Sequence, residues 1–180
     1  MKYKAERVSS YRFTSQHKLF LDANIWLYLY GPKEHNNYWV KVYSDAFNRI
    51  LKAESKVYID VLIVSEFINR LSKQECKLAG YPSKEFKIFR SSSDFLPVAQ
   101  GIAASVKKIT NQCIRTESTF SMLKINDILN DYAKGKSDFN DQVVTRLCKN
   151  KGFTLMTHDG DFDPNNLHIL TENNYLLNKR

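Results

Sequence analysis

Hydrophobic and polar positions along the chain form short apolar runs separated by longer stretches with helical spacing. The runs Lys18–Leu21, Lys56–Ile59 and Phe153–Thr157 are typical of buried strands, and His168–Leu170 fits a short edge strand. Because the helical stretches lie between these runs, the pattern predicts βαβ units and a parallel sheet.

Apolar residues at helical spacing predict four helices. They cover Ile25–Tyr30, residues 39 to about 53, Val61–Ser72 and Phe139–Asn150. The last of these is expected to end at Gly152, in the position after a helix where glycine is common. The segment of about 73–123 is predicted to be a helical insertion with a loop around Arg90–Pro97, and Lys124–Leu129 to be a weak strand or turn.

The third predicted helix has two faces, and Asp60 is a candidate for its N-cap. Its apolar positions are Val61, Val64, Ile68 and Leu71, and its polar positions are Ser65, Glu66, Asn69 and Arg70. Glu66 therefore lies on a polar stripe of a mostly apolar helix.

Composition limits the class of protein. The chain has 180 residues, 43% of them hydrophobic and only six glycines, which fits one domain over residues 1–180 and excludes a disordered chain. The apolar stretch Ile25–Tyr30 is too short to cross a membrane, and the polar start has no signal region, so a cytoplasmic protein is expected. Cys76, Cys113 and Cys148 are widely spaced, which predicts buried reduced thiols and no structural zinc.

The positive charge is uneven along the chain. Residues 1–18 have five basic and one acidic side chain, and residues 72–124 have nine and four, whereas the rest is close to balance. A basic surface suits a polyanionic partner such as RNA. A surface that only keeps the protein soluble is the alternative.

Acidic residues follow or flank the predicted strands. Asp22 ends the first strand, Asp159 follows the Phe153–Thr157 strand, and Glu66, Asp138 and Asp141 lie in the first turns of helices. In a parallel α/β sheet such positions meet at one edge, where close carboxylates repel unless a cation is present. Oxygen ligands without His or Cys favour Mg²⁺ or Mn²⁺.

Each acid also has a purely structural explanation. Asp22 or Asn24 can cap a helix, Asp138 and Asp141 have the spacing of a capping arrangement, Glu66 can pair with Arg70, and Asp159 and Asp161 can shape a turn. These explanations do not require the acids to share one sheet edge, so a common site is favoured.

Other chemistries lack support in the sequence. The four histidines show no metal-ligand or triad spacing, and no glycine-rich phosphate loop indicates a nucleotide cofactor. A phosphotransfer domain is disfavoured, because the Asp-x-Asp of haloacid-dehalogenase-like proteins is replaced by Asp22-Ala23-Asn24.

Four segments together resemble PIN-domain ribonucleases, the family that includes VapC-type toxins of type II toxin–antitoxin pairs. They are Leu19–Ile25, Val64–Phe67, Asp138–Val144 and Leu155–Phe162. The resemblance implies a three-layer α/β/α sandwich around a parallel sheet. It implies that Asp22, Glu66 and Asp141 are the core acids, that Asp138 and Asp159 complete the Mg²⁺ or Mn²⁺ site, that Asn24 and Thr157 are polar supports, and that Asp161 binds metal or shapes its loop.

The implied function is metal-dependent endonucleolytic cleavage of RNA, with Asp22, Glu66, Asp141 and Asp159 as catalytic acids. The implied partners are RNA, a second copy of the chain and, for a toxin, an antitoxin protein. The 73–123 insertion and the basic start depart from compact family members, which weakens the toxin role specifically. A catalytically silent RNA-binding or scaffolding module is the alternative.

Overall fold

The computed structural model describes residues 4–32, 38–135 and 137–179. Within these residues six strands form one all-parallel sheet in the order β1-β6-β5-β2-β3-β4. The strands are β1 (Ala5–Arg7), β2 (Lys18–Leu21), β3 (Lys56–Ile59), β4 (Ile114–Arg115), β5 (Thr154–Met156) and β6 (Ile169–Thr171). The predicted parallel sheet is confirmed, but β6 is not the edge strand that was expected at residues 168–170, because it pairs with both β1 and β5.

Eight α-helices occur in the same described ranges and complete the predicted α/β/α sandwich. They are α1 (Ala23–Tyr30), α2 (Tyr38–Lys52), α3 (Val61–Leu78), α4 (Phe86–Ser91), α5 (Phe95–Asn111), α6 (Ile125–Ala133), α7 (Phe139–Lys151) and α8 (Asn174–Asn178). No helix among the described residues is long and apolar enough to cross a membrane.

The central strand β2 lies in the hydrophobic core. Leu19, Phe20 and Leu21 of β2 are all fully buried, so this strand shows no alternation between buried and exposed residues. A strand covered by helices on both faces has this pattern. In register, Phe20 lies beside Tyr58 of β3 and Leu155 of β5, which brings the carboxyl ends of these three strands to one edge.

Aspartate caps begin the helices next to that edge. Asp22, Asp60 and Asp138 are the N-caps of α1, α3 and α7, and each side chain accepts a hydrogen bond from a backbone N–H of its helix. At the other end of α7, Gly152 has φ +67°, a left-handed conformation that glycine adopts without strain. The predicted caps and the predicted helix end are confirmed.

The buried face of α3 differs from the prediction. Val61 is 76% exposed and Ile68 is 37% exposed, whereas Ile63 and Phe67 are buried together with Leu71. The long apolar run at the start of α3 permits two apolar faces, and packing against α1 and α5 selects the one that contains Ile63. The helix also continues beyond Ser72 to Leu78.

Two predicted segments between residues 86 and 133 are wrong. The loop around Arg90–Pro97 shrinks to a short break between α4 and α5, and Pro97 lies in the first turn of α5. Proline is tolerated there because the first backbone N–H groups of a helix have no acceptor within it. Lys124–Leu129 is mostly helical, because the apolar side chains of Ile125, Ile128 and Tyr132 have helical spacing.

The structure also contains elements that the pattern did not predict. β1 and β4, at the two edges of the sheet, have only three and two residues, and α8 is a short C-terminal helix. Strands this short show no period of alternation. All three cysteines are free; Cys76 and Cys148 are buried and Cys113 is half-buried.

Candidate active site

The candidate site lies where β2 and β5 end side by side. Asp22 directly follows β2, and Thr157 directly follows β5. The backbone N–H of Asp22 donates to the Met156 carbonyl oxygen (3.0 Å), which joins the two chain ends. Ligand sites of parallel α/β sheets lie outside the carboxyl ends of strands, and the predicted acids meet at this edge.

Three predicted residues form a hydrogen-bonded group that we call the floor: Asp22, Asn24 and Thr157. They are 5%, 9% and 0% exposed. The Thr157 hydroxyl donates to Asp22 Oδ2 (2.7 Å) and accepts from Asn24 Nδ2 and from the Asp159 backbone N–H (both 3.0 Å). Asn24 Nδ2 also donates to Asp22 Oδ2, and Asn24 Oδ1 accepts from the His158 N–H (3.1 Å). The hydroxyl therefore uses its donor and both acceptor positions.

Burial dominates the electrostatics of Asp22. Loss of solvation raises its pKa to about 6, and the negative charges of Glu66 and Asp159 add to the increase. Hydrogen bonds from Thr157 and from the Ala23 N–H oppose it. The floor thus holds a carboxylate whose charge is unfavourable in the absence of a cation.

Above the floor is a cleft of about 430 Å³, which we call the acidic cleft. Five predicted acids line it: Glu66, Asp138, Asp141, Asp159 and Asp161. They come from α3, from the start of α7 and from the loop after β5, three parts of the chain that are distant in sequence. The structure therefore brings these five acids together, and Asp22 of the floor is close enough for its charge to raise the pKa of Asp141.

Acids of the cleft also have the structural roles considered from the sequence. Glu66 Oε1 pairs with Arg70 (3.1 Å), Asp138 Oδ1 accepts from the Asn140 N–H (2.8 Å), and Asp159 Oδ1 accepts from the Asp161 N–H (3.1 Å). Capping, pairing and turn formation therefore coexist with convergence on one cleft.

Asp141 shows how closely the acids interact. Partial burial raises its pKa to about 7, and the charges of Asp22, Asp159, Asp138 and Glu66 all add to the increase. Close like charges disfavour ionisation in this way, and a bound cation would reverse the effect.

The donor chemistry fits a hard divalent cation, although the side chains are not arranged around one. In the described parts of the chain, no three Asp, Glu, His or Cys side chains form a group that could hold a metal ion as placed. Carboxylate oxygens alone suit Mg²⁺ or Mn²⁺. Coordination would therefore require side chains of the cleft to adopt other orientations.

His158 fixes the loop that carries Asp159. Its Nδ1 is 2.8 Å from the Tyr43 hydroxyl, its ring centroid is 4.3 Å from that of Trp39, and its carbonyl oxygen accepts from Asn173 Nδ2 (2.8 Å). Burial lowers the pKa of His158, which keeps the ring neutral near pH 7. His158 therefore supports the site through packing.

The structure adds residues that the sequence did not single out for the site. Lys73 and Asn140 line the acidic cleft, as do Ser65, Asn69 and Arg70 from the polar stripe of α3. Lys73 continues that stripe three residues after Arg70, and Asn140 lies between Asp138 and Asp141. The spacing of three residues between Arg70 and Lys73 was the feature of the sequence from which Lys73 could have been predicted.

A parallel α/β sandwich with an acidic cleft at the carboxyl edge defines the class of this protein. A family model described as PIN domain matches residues 19–165, which include all eight predicted site residues. The chain therefore belongs to the PIN-domain family, whose members are generally nucleases that use divalent metal ions. No curated protein matches the chain significantly.

Proposed function

We propose that this protein is an endoribonuclease that requires Mg²⁺ or Mn²⁺ and hydrolyses RNA phosphodiester bonds. The observation that carries the proposal is the convergence of five acids on one cleft, where burial and the charges of four other acids raise the pKa of Asp141 to about 7. Such a cluster is a candidate functional site, because residues with strongly shifted pKa values are concentrated in catalytic and binding sites.

Each side chain of the site has a proposed role in binding the metal or in orienting a metal ligand. Asp22 and Asp141 hold the metal, Glu66 and Asp138 bind it or its waters, and Asp159 assists a second or weaker ion. When bound, the metal supplies an activated water and neutralises phosphate charge. Asn24 and Thr157 keep Asp22 oriented through the hydrogen bonds of the floor, and Asp161 donates its N–H to Asp159. The expected products carry 5′-phosphate and 3′-hydroxyl ends.

The biological role follows from the family resemblance. We propose that the protein acts as the toxin of a type II toxin–antitoxin pair, with RNA as substrate and an antitoxin protein as partner. Pairing with a second copy of the chain stays a prediction, as does a cytoplasmic location. The four acidic motifs support membership of the family that includes VapC-type toxins, whereas the 73–123 insertion departs from compact toxins, so the toxin role is the more specific part of this proposal.

Cleavage of RNA with end mapping tests the proposal. Wild type and Asp22→Asn are incubated with single-stranded and structured RNA, with Mg²⁺, with Mn²⁺ or with EDTA. Wild type should cleave only with metal and leave 5′-phosphates, and Asp22→Asn should be slower by about 10²–10³-fold or more, because a preorganised charge is lost. Asp45→Asn, an exposed acid on α2 outside the acidic cleft, should retain the wild-type rate.

Two results would contradict the proposal. One is wild-type cleavage rates from a folded Asp22→Asn variant. The other is RNA binding by wild type with no cleavage under any metal condition, which would favour the catalytically silent module.

A further inference from the structure

The loop after β5 carries two acids of the site, and we call residues 158–162 the acidic loop. It contains Asp159 and Asp161. The floor holds one side of this loop, because the backbone N–H groups of its first two residues donate to Asn24 Oδ1 (3.1 Å) and to the Thr157 hydroxyl (3.0 Å). The other side of the loop contacts a part of the chain that the site has not yet included.

That part is residues 173–179, which we call the α8 segment. It forms a hydrogen bond to each end of the acidic loop. Asn173 Nδ2 donates to the His158 carbonyl oxygen (2.8 Å), and Lys179 Nζ donates to the Phe162 carbonyl oxygen (3.1 Å). Both ends of the loop are therefore attached to the α8 segment through their backbone.

The middle of the acidic loop has no side chain at Gly160, which lets the ring of Tyr175 lie against it. A Cβ at this position would be 3.2 Å from Tyr175 Cδ1 and 3.6 Å from Asn173 Nδ2. Lys179 Nζ is 5.3 Å from the centre of the same ring, within the range of a cation–π contact. The three side chains thus form one group that contacts the loop at its start, middle and end.

The α8 segment is itself fixed to the rest of the fold. Leu176 is fully buried in the hydrophobic core. Asn173 caps α8, because its Oδ1 accepts from the Tyr175 N–H (2.9 Å), and its own N–H donates to the hydroxyl of Thr171 at the end of β6 (3.0 Å). Asn173 therefore joins the sheet, α8 and the acidic loop.

This arrangement determines how the loop can respond to an ion. Because its backbone is held from two sides, Asp159 can turn toward an ion by side-chain rotation while the loop stays in place. Groups that orient metal ligands commonly contribute 10–100-fold to metal affinity or activity. The α8 segment lies beyond the residues 19–165 that the family model matches, so family membership does not account for these contacts.

We propose that Asn173, Tyr175 and Lys179 are positioning residues, which hold the acidic loop so that Asp159 is in place to bind a divalent ion. The proposal rests on the proposed function, because it concerns the metal of that reaction. The three side chains act through the backbone and the glycine of the loop, and they do not bind the ion themselves.

Two substitutions separate this role from the stability of the helix. Asn173→Ser keeps a good N-cap for α8, but serine is too short to reach the His158 oxygen. Lys179→Met keeps the length of the side chain and removes the donor. The matched controls are Asn178→Ser, an exposed position of the same helix, and Lys179→Arg, which keeps both donor and charge.

Hydrogen exchange in EDTA examines the loop without metal, and calorimetry with Mn²⁺ measures binding. In Asn173→Ser and in Lys179→Met, the amide N–H groups of Asp159 and Asp161 should exchange about tenfold faster, while those of β2 stay protected. The combined variant should bind Mn²⁺ about tenfold more weakly than wild type. Both controls should match wild type in exchange and in Mn²⁺ binding.

For Lys179→Met, charge and positioning predict opposite results. Lys179 lines a cleft of about 470 Å³ together with Asp138 and Asp161. Loss of a positive charge there would by itself strengthen Mn²⁺ binding, because like charges repel. Weaker binding by this variant therefore identifies a positioning role.

Loop exchange at the wild-type rate in the combined variant would overturn the proposal, as would faster exchange throughout the protein. Faster loop exchange with unchanged or tighter Mn²⁺ binding would overturn it too, because the loop would then not control the metal. Failure of the proposed function is distinguishable from these results. Wild type that binds Mn²⁺ but cleaves no RNA removes the ribonuclease, while exchange and calorimetry still decide the positioning role.

Discussion

On the floor of the candidate site, Thr157 is fully buried and its hydroxyl uses every hydrogen-bonding position. In the acidic cleft above it, Glu66 and Arg70 form an ion pair whose side chains are 27% and 45% exposed. The floor connects residues more than 130 positions apart, whereas the Glu66–Arg70 pair lies within one helix. The two regions hold carboxylates in different ways.

The floor and the acidic cleft differ in how easily their side chains can rearrange. Buried hydrogen bonds leave unsatisfied groups when broken, which costs about 1–3 kcal/mol per group, whereas an exposed i, i+4 pair is worth about 0.3–0.5 kcal/mol. Asp22 is therefore held before any metal binds. Glu66 can exchange its pairing with Arg70 for an ion at small cost.

Breaking the floor should have the largest effect. Thr157→Val keeps the shape of the side chain but removes the hydroxyl that joins Asp22, Asn24 and the Asp159 N–H. We expect a loss of about 1–3 kcal/mol in the free energy of unfolding and a drop of about 10–100-fold in RNA cleavage. Urea denaturation and cleavage rates measure the two effects.

Thr157→Ser is the matched control, because serine keeps the hydroxyl and removes only a methyl group. It should recover most of the cleavage rate. Cleavage by Thr157→Val at the wild-type rate would show that the orientation of Asp22 does not depend on this hydrogen bond.

Removing a repelling charge should have a smaller effect of opposite sign. The pKa of Asp141 is raised from 3.8 to about 7, so between these pH values the folded state binds a proton that the unfolded state has released. The free energy of unfolding of the metal-free protein should therefore fall as pH rises from about 4 to about 7. Asp141→Asn should flatten this fall and, after allowance for solvent screening, stabilise the protein by about 1–2 kcal/mol above pH 7.

Thermal and urea unfolding in EDTA at several pH values measure this effect. Asp45→Asn, an exposed acid on α2, serves as the control and should leave the pH profile unchanged. An unchanged or lower melting temperature of Asp141→Asn near pH 8 would argue against charge crowding. Saturating Mg²⁺ should reverse the ranking of wild type and Asp141→Asn, because metal binding stabilises only the folded state that holds it.

The order of strands and acids in the sequence was enough to predict the site at coarse level. Asp22 and Asp159 follow apolar runs, and Asp138 precedes a helix with a clear glycine end, so each has a local signal. Parallel topology then places these signals at one edge. The family resemblance implied Asn24 and Thr157 as supports, whereas their shared hydrogen bonds with Asp22 depend on the folded chain.

Features without a local period could not be predicted. β4 has two residues, and its pairing with Ile59 of β3 depends on the whole insertion folding back onto the sheet.

The smallest expected effect concerns the Glu66–Arg70 pair and sharpens the contrast with the floor. Arg70→Ala should lower the free energy of unfolding by only about 0.3–0.5 kcal/mol, and high salt should abolish the difference, because the pair is exposed.

The same substitution should strengthen metal binding, because removing the positive charge of Arg70 frees Glu66 and reduces repulsion of a cation. At about 7 Å in water a unit charge repels a divalent ion by about 1.2 kcal/mol, and screening at physiological salt reduces this to about 0.5 kcal/mol, so Mn²⁺ affinity measured by calorimetry should rise about two- to threefold. Arg70→Lys keeps the charge and should bind Mn²⁺ as wild type does. Weaker Mn²⁺ binding by Arg70→Ala would mean that the arginine orients Glu66 toward the ion, and that the acidic cleft, like the floor, is arranged before metal binds.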